Sequence, residues 1–234
     1  YKINTSGIKV IKDLEDEVLV EAQAGQDWHE LVMWSVNRNL SGMENMALIP
    51  GTVGAAAVGN IAAYGQNQGD IVDSVEVYDL QNKKSLTLNH DECGFVYRNS
   101  VFNKKYKNKF LITKVIYKLS RTAHFDIKYH SRYESLESEL QKFATPPYTI
   151  KDVAQAVINI RKIKMPDWNV VGTAGSIFKN PFVDKNKLVK LQTIIPELQA
   201  YPTEKMLYPT ADDKIFEKLD LVKIPAGRLL DFLG

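Results

Sequence analysis

Three short stretches hold residues whose types and spacing could do chemistry. In Val170-Val-Gly-Thr-Ala-Gly-Ser-Ile-Phe-Lys-Asn-Pro-Phe182, the small residues Gly172, Ala174 and Gly175 permit a tight turn that exposes the Ser176 hydroxyl. Lys179 and Asn180 follow at a spacing that can aim both at the same ligand. Ser176 lacks a Gly-x-Ser-x-Gly elbow, and His29, His90, His124 and His130 lie in unrelated contexts, so a hydrolase triad has little support. The hydroxyl can still serve as a proton donor, although a serine in a structural turn is the simpler account of this stretch alone. In Glu92-Cys-Gly-Phe-Val-Tyr-Arg-Asn-Ser-Val-Phe102, Arg98 stands between Tyr97 and the polar pair Asn99-Ser100. Its planar fork suits a carboxylate or a developing enolate, because it donates two parallel hydrogen bonds and keeps its charge at any working pH. An ordinary surface ion pair explains the same arginine more simply.

The third stretch is Ile49-Pro-Gly-Thr-Val-Gly-Ala-Ala-Ala-Val-Gly-Asn-Ile-Ala-Ala-Tyr-Gly65, which is small or aliphatic apart from Thr52, Asn60 and Tyr64. Such a run lets backbone amides approach phosphate or a planar ring, and it equally suits a tightly packed turn without ligand. The spacing is not Gly-x-Gly-x-x-Gly and no strand immediately precedes it, which excludes a dinucleotide fingerprint.

The elements that must position these residues follow from periodicity. Val18 to Ala24 alternates at period two and ends at Gly25. Asp27 and Glu30 offer a capping pair for a helix with Trp28, Leu31, Val32 and Val36 on one face, stopping at Gly42. Residues 74–80, 85–88 and 110–119 read as three more strands of an antiparallel meander. Residues 122–150 are polar and aromatic and contain Pro146 and Pro147, which marks a boundary or an insertion. Thr149 and Asp152 can cap a helix bearing Val153, Val157 and Ile160, which Pro166 closes.

Composition limits the function. The chain has 234 residues, 44% apolar and 25% charged, which is ordinary for a globular protein. A net charge of +2 gives no broad basic field for nucleic acid. The lone Cys93 excludes an internal disulfide framework and fits a reducing compartment. No signal peptide and no long apolar run is present, so a cytoplasmic, non-membrane protein is expected. The chain begins at Tyr1 without Met and stops at Gly234 within an apolar run, the pattern of an internal fragment.

In order, Gly42-Met-Glu-Asn-Met-Ala-Leu-Ile-Pro-Gly-Thr-Val-Gly54, Asn60-Ile with Ala63-Tyr-Gly65, Glu92-Cys with Tyr97-Arg-Asn-Ser-Val-Phe102, Arg161 with Lys164-Met-Pro-Asp167, and Ala174-Gly-Ser-Ile-Phe-Lys-Asn-Pro181 resemble one family. It is UDP-N-acetylenolpyruvoylglucosamine reductase, also called UDP-N-acetylmuramate dehydrogenase, and the likeness runs from about residue 17 to the end. The resemblance implies an α+β fold: part of a vanillyl-alcohol-oxidase/PCMH-type FAD-binding domain over residues 1–150, then part of a smaller α+β substrate-binding domain over 151–234. It implies bound FAD, NADPH as co-substrate, UDP-N-acetylglucosamine enolpyruvate as substrate, and a monomer serving bacterial peptidoglycan precursor synthesis. Arg98 would stabilise the enolate-like charge after hydride transfer, and Ser176 would deliver the proton to the neighbouring carbon. Tyr97, Tyr129, Lys164, Lys179 and Asn180 match substrate-binding positions, with Tyr129 in an extra tyrosine loop over 122–150. Ile49, Pro50, Gly51, Thr52, Gly54, Ala55, Asn60, Ala62, Tyr64 and Ile112 match positions at the flavin, and no metal is implied. The family's glycine-rich pyrophosphate loop would lie before Tyr1 and its catalytic glutamate beyond Gly234, so this stretch alone is expected to bind flavin poorly and to turn over little. Two other classes predict different residues: another flavin oxidoreductase would lack the Ser-x-Phe-Lys-Asn-Pro string, and an inactive nucleotide-sugar-binding relative would have lost Arg98 or Ser176.

Overall fold

The computed structural model describes residues 3–123, 127, 135–168, 170–172, 177–202 and 221–234. Two compact units divide the chain, Tyr1–Gly172 and Thr173–Gly234.

The first unit is built on a five-stranded antiparallel sheet. Its strands are β1 (Ile8–Asp13), β2 (Glu17–Gln23), β5 (Val72–Asp79), β6 (Lys84–Asn89) and β7 (Phe110–Ser120), in the spatial order β1-β2-β7-β5-β6. Strand β2 alternates as its sequence predicts, with Val18, Val20 and Ala22 inside. The expected consecutive meander is not what forms. Strands β5 and β6 do make a hairpin, but β7 inserts between β2 and β5 and pairs with both. Val115, Tyr117 and Leu119 in β7 are fully covered, as the middle strand of a sheet must be. Strand β1 was not apparent in the sequence, because it is an edge strand whose residues are almost all exposed and so show no burial period.

Helices cover one core. They are α1 (Trp28–Val36), α2 (Val53–Gly59), α3 (His90–Cys93), α4 (Leu136–Leu140) and α5 (Ile150–Lys164), and a small hairpin of β3 (Ala62–Ala63) and β4 (Gln66–Asn67) follows α2. The predicted caps form. The Asp27 carboxylate accepts from the Glu30 amide at 2.9 Å, while Thr149 and Asp152 make a reciprocal capping box. Trp28, Leu31, Val32 and Val36 are buried, as are Val153, Val157 and Ile160. Helix α1 ends at Val36, earlier than Gly42.

Helix α5 shows where the units part. Its apolar face belongs to the same core as Val18, Trp28 and Leu136, so residues 150–172 go with the first unit and the division falls after Gly172, not at 150. The prolines at 146 and 147 mark a turn ahead of a helix that packs back onto the sheet unit.

The second unit has a three-stranded antiparallel sheet in the order β8 (Phe182–Asp184), β10 (Leu221–Lys223), β9 (Tyr201–Pro202). Helix α6 (Lys185–Ile194) and helix α7 (Ala226–Leu233) accompany it around a small core of Ile195, Leu198 and Ile224. The whole is α+β. Among the described residues no helix is long and apolar enough to cross a membrane.

Removing the α5 cap by Thr149→Ala leaves the Asp152 amide without its side-chain acceptor and is expected to destabilise the first unit by about 1 kcal/mol. Urea unfolding monitored by tryptophan fluorescence measures it, and an unchanged midpoint would mean that the capping box contributes nothing.

Candidate functional site

The segment from Met46 to Gly54 is irregular until α2 begins, so its backbone polar groups need partners from elsewhere. The junction between β2 and α1 supplies them. Trp28 donates from Nε1 to the Met46 carbonyl at 3.0 Å and from its backbone amide to the Gly51 carbonyl at 3.0 Å. The Gln26 and Ala24 carbonyls accept from the Val53 and Gly54 amides at 3.0 and 2.8 Å. A Cβ on Gly54 would lie 3.0 Å from the Ala24 Cβ, so a side chain there would push the helix start off the strand. The amides of Val53 and Gly54 are thus already engaged, and a ligand meeting these residues would do so through Cα, carbonyls and neighbouring side chains. The outer side is open: Pro50, Gly51 and Ala55 are exposed, and nothing lies within 4 Å of a Cβ placed on Gly51 or Gly59. Ile49 and Thr52 are half-buried at the edges of this surface.

Arg98 is placed by a second set of contacts. Val96 and Asn99 exchange two backbone hydrogen bonds of 3.0 and 3.1 Å, which puts Tyr97 and Arg98 at a hairpin tip, with Arg98 at φ +52°. Three bonds then stitch this hairpin to the end of α2 and the segment after it. Ser100 Oγ donates to the Val58 carbonyl at 2.8 Å, Asn60 Nδ2 to the Val96 carbonyl at 2.9 Å, and Arg98 Nη2 to the Ala62 carbonyl at 2.8 Å. Asn60 also accepts from the Gly69 amide at 2.8 Å, caps α2 in the left-handed region and is 3% exposed. In this geometry its amide works as an internal brace. The Arg98 guanidinium lies 6.0 Å from the Tyr97 ring.

A buried carboxylate holds the β3–β4 hairpin beside these residues. Glu44 is fully covered and accepts from Ser41 Oγ, the Gly42 and Met43 amides and Gln66 Nε2, at 2.7 to 3.1 Å. Gln66 in turn accepts from the Asn45 amide, and Asn45 Nδ2 donates to the Tyr64 carbonyl at 2.7 Å. Tyr64 and Gly65, both at positive φ, form the turn of that hairpin. Glu44 carries little signal of its own in the sequence, where it stands as one acidic residue between Met43 and Asn45.

The remaining candidates divide between the units. Lys164, at the exposed end of α5, belongs to the first. Lys179 and Asn180 belong to the second, where Asn180 Oδ1 accepts from the Ala226 amide at 3.0 Å and so caps α7, while Lys179 is exposed. Ile112 lies in β7 with its side chain in the core. Tyr129 and Ser176 lie outside the described residues. A cleft of about 320 Å³ opens at the end of α5, lined by Leu48, Arg161, Lys162, Met165, Pro166, Asp167 and Trp168. Arg161 Nε donates to the Leu48 carbonyl at 3.0 Å; burial lowers the guanidinium pKa and Tyr64 opposes that shift. Cys93 is not reactive here, since burial pushes its thiol up to about 12. No group of His, Cys, Asp or Glu among the described residues could hold a metal ion.

Residues 1–87 match the FAD binding domain family. Three curated relatives, all UDP-N-acetylenolpyruvoylglucosamine reductases, extend the likeness along the chain. The one from Flavobacterium johnsoniae is 38% identical over 232 residues, covering 99% of this chain and 64% of its own length. That from Pseudomonas aeruginosa is 38% identical over 98% of this chain and 62% of its own. That from Xylella fastidiosa is 44% identical over 84% of this chain and 55% of its own. A crystal structure of the Thermus caldophilus reductase is 25% identical, with a TM-score of 0.47 over 68% of this chain and 47% of that one. The chain thus spans between 55% and 64% of the length of these three curated relatives. The resemblance read from the motifs is borne out by them.

Asn60→Ala would leave the Gly69 amide without its acceptor, strip the Val96 carbonyl of one of its two donors and place alanine at φ +42°. The expected loss is about 2–3 kcal/mol of stability with no ligand present. Thermal unfolding of the flavin-free protein tests it, and a wild-type midpoint would return Asn60 to a purely ligand-contacting role.

Proposed function

We propose that the protein carrying this chain reduces the enolpyruvyl ether of UDP-N-acetylglucosamine enolpyruvate to UDP-N-acetylmuramate, with FAD as cofactor and NADPH as co-substrate, in the cytoplasmic stage of peptidoglycan precursor synthesis. One observation carries this reading, the 38% identity over 99% of the chain to a UDP-N-acetylenolpyruvoylglucosamine reductase, and the FAD binding domain match over residues 1–87 supports it.

The described residues fit the cofactor. The open backbone surface at Pro50, Gly51, Ala55 and Gly59 suits a flat ring system, because no side chain projects there to keep it away. FAD held at that surface would supply the hydride chemistry. Thr52, Ile49 and Tyr64 would border it, and Asn60, Gly54 and Ile112 would keep the surface in shape from behind.

The chain's own contribution is charge and proton placement. Hydride addition to the methylene carbon of the substrate drives negative charge toward its carboxylate. Arg98 would stabilise that charge, and its tether to the Ala62 carbonyl favours the role because a donor fixed beforehand needs no reorganisation as charge develops. Ser176 would donate its hydroxyl proton to the carbon next to the carboxylate. Tyr97, Tyr129, Lys164, Lys179 and Asn180 would hold the nucleotide portion, the lysines as cations opposite the diphosphate.

The half-reactions separate these roles. In Ser176→Ala, NADPH is expected to bleach the flavin at the wild-type rate, while reoxidation by the enolpyruvyl substrate falls at least about a hundred-fold. Stopped-flow absorbance follows both steps. Unaltered reoxidation removes Ser176 as proton donor, and a wild-type protein whose flavin NADPH cannot bleach overturns the proposed reduction itself.

A further inference from the structure

Leu48 lies at the centre of the irregular segment and is itself strained, with φ at +57°. A leucine in the left-handed region persists only where its surroundings hold it. Both polar groups of this residue are held by ionisable side chains from two helices: its carbonyl accepts from Arg161 Nε on α5, and its amide donates to His29 Nδ1 on α1 at 3.0 Å. The next residues, Ile49 to Thr52, supply Pro50 and Gly51 to the open surface assigned above to the flavin, with Ile49 and Thr52 at its edges.

We propose that neutral His29 is a positioning residue that holds the Leu48 peptide and, through it, the Ile49–Thr52 surface, and that its protonation releases this hold. The inference rests on the flavin reading for the purpose of that surface, but the hold itself is a property of the chain.

Only a neutral imidazole with its proton on Nε2 can accept at Nδ1, because the imidazolium has donors at both nitrogens. Protonation would therefore set two donors, His29 and the Leu48 amide, against each other. The charged groups acting on His29 are Asp27 and Glu30 from its own helix, which favour the cation, and Arg161 and Lys162 from α5, which oppose it. Burial is the largest influence and, with the two basic residues, it holds the His29 pKa below its ordinary 6.5. The sign follows from proton counting: the unfolded chain binds the proton more readily, so the contribution to stability is complete above 6.5 and is lost as pH falls from there to the lowered folded value. No imidazole other than His29 is needed to account for it, and nothing in the proposed hydride or proton steps uses this ring.

Two variants and two readouts test the proposal in the full protein. His29→Asn places a carbonyl oxygen near Nδ1 and cannot titrate, and His29→Ala removes the acceptor at every pH. Hydrogen exchange at the Leu48 amide and the FAD dissociation constant are measured at pH 5 and pH 8. In the wild type, exchange protection and FAD affinity are expected to fall together by about ten-fold at pH 5. The Asn variant should keep both values at either pH, and the Ala variant should show the low values at both. The proposal is overturned if the Asn variant follows the wild-type pH profile, or if the Ala variant retains wild-type protection at pH 8. Should the wild type bind no FAD at pH 8, the flavin reading fails, while the Leu48 exchange profile still decides whether His29 holds this peptide.

Discussion

The backbone of residues 3 to 5 crosses Gly25 so closely that a Cβ there would lie 2.5 Å from the Thr5 carbonyl oxygen and 2.6 Å from that of Ile3. No residue with a side chain can occupy that crossing without moving main chain. Because it is kept, β2 ends in a sharp junction that presents, within a few residues, the Ala24 and Gln26 carbonyls, the Trp28 amide and indole, and the His29 ring. Every one of these meets the segment from Met46 to Gly54. The open surface of that segment is therefore shaped by a part of the chain about twenty residues away, which makes no use of the surface itself.

Such an arrangement is stable only as a set. A single hydrogen bond contributes about 1 kcal/mol net, whereas a buried donor or acceptor left alone costs about 1–3 kcal/mol. Losing one bond here strains its neighbours, because Leu48 and Gly51 both stand at positive φ and have no helical ladder to fall back on. The Trp28 ring couples the segment to the sheet, packing edge-on against Tyr117 of the central strand with ring centres 6.0 Å apart. Arg161 extends the set to α5, whose apolar face already joins the core of the sheet unit.

What could be read from the sequence was local. The Asp27–Glu30 and Thr149–Asp152 caps are three residues apart, and the alternation of β2 needs only its own seven residues. Helix faces and most strand positions followed from such signals. What could not be read spans long separations: β7 between β2 and β5, His29 with Leu48, Asn60 with Val96, and Arg98 with Ala62. Residue type pointed to Arg98, yet type alone favoured a surface ion pair, and only the fold provides the carbonyl that holds its guanidinium. Asn60 shows the opposite case. Its match to a flavin position gave it a ligand-facing role, while the fold spends both ends of its amide on internal bonds.

The placement of Arg98 has a consequence for how the charge could act. The hairpin tip holds the residue at φ +52°, a conformation that costs a non-glycine residue about 1 kcal/mol and that the paired Val96–Asn99 bonds enforce. With backbone and guanidinium both fixed, the side chain has little left to choose. A lysine there would lose this advantage even though it keeps the charge, since a flexible ammonium has no planar fork to hold one donor on the Ala62 carbonyl and orient the rest. Strain in the backbone and the tether at the side-chain end thus act in the same direction: the ordering cost of the guanidinium is met when the chain folds and would not have to be met again in the proposed reaction.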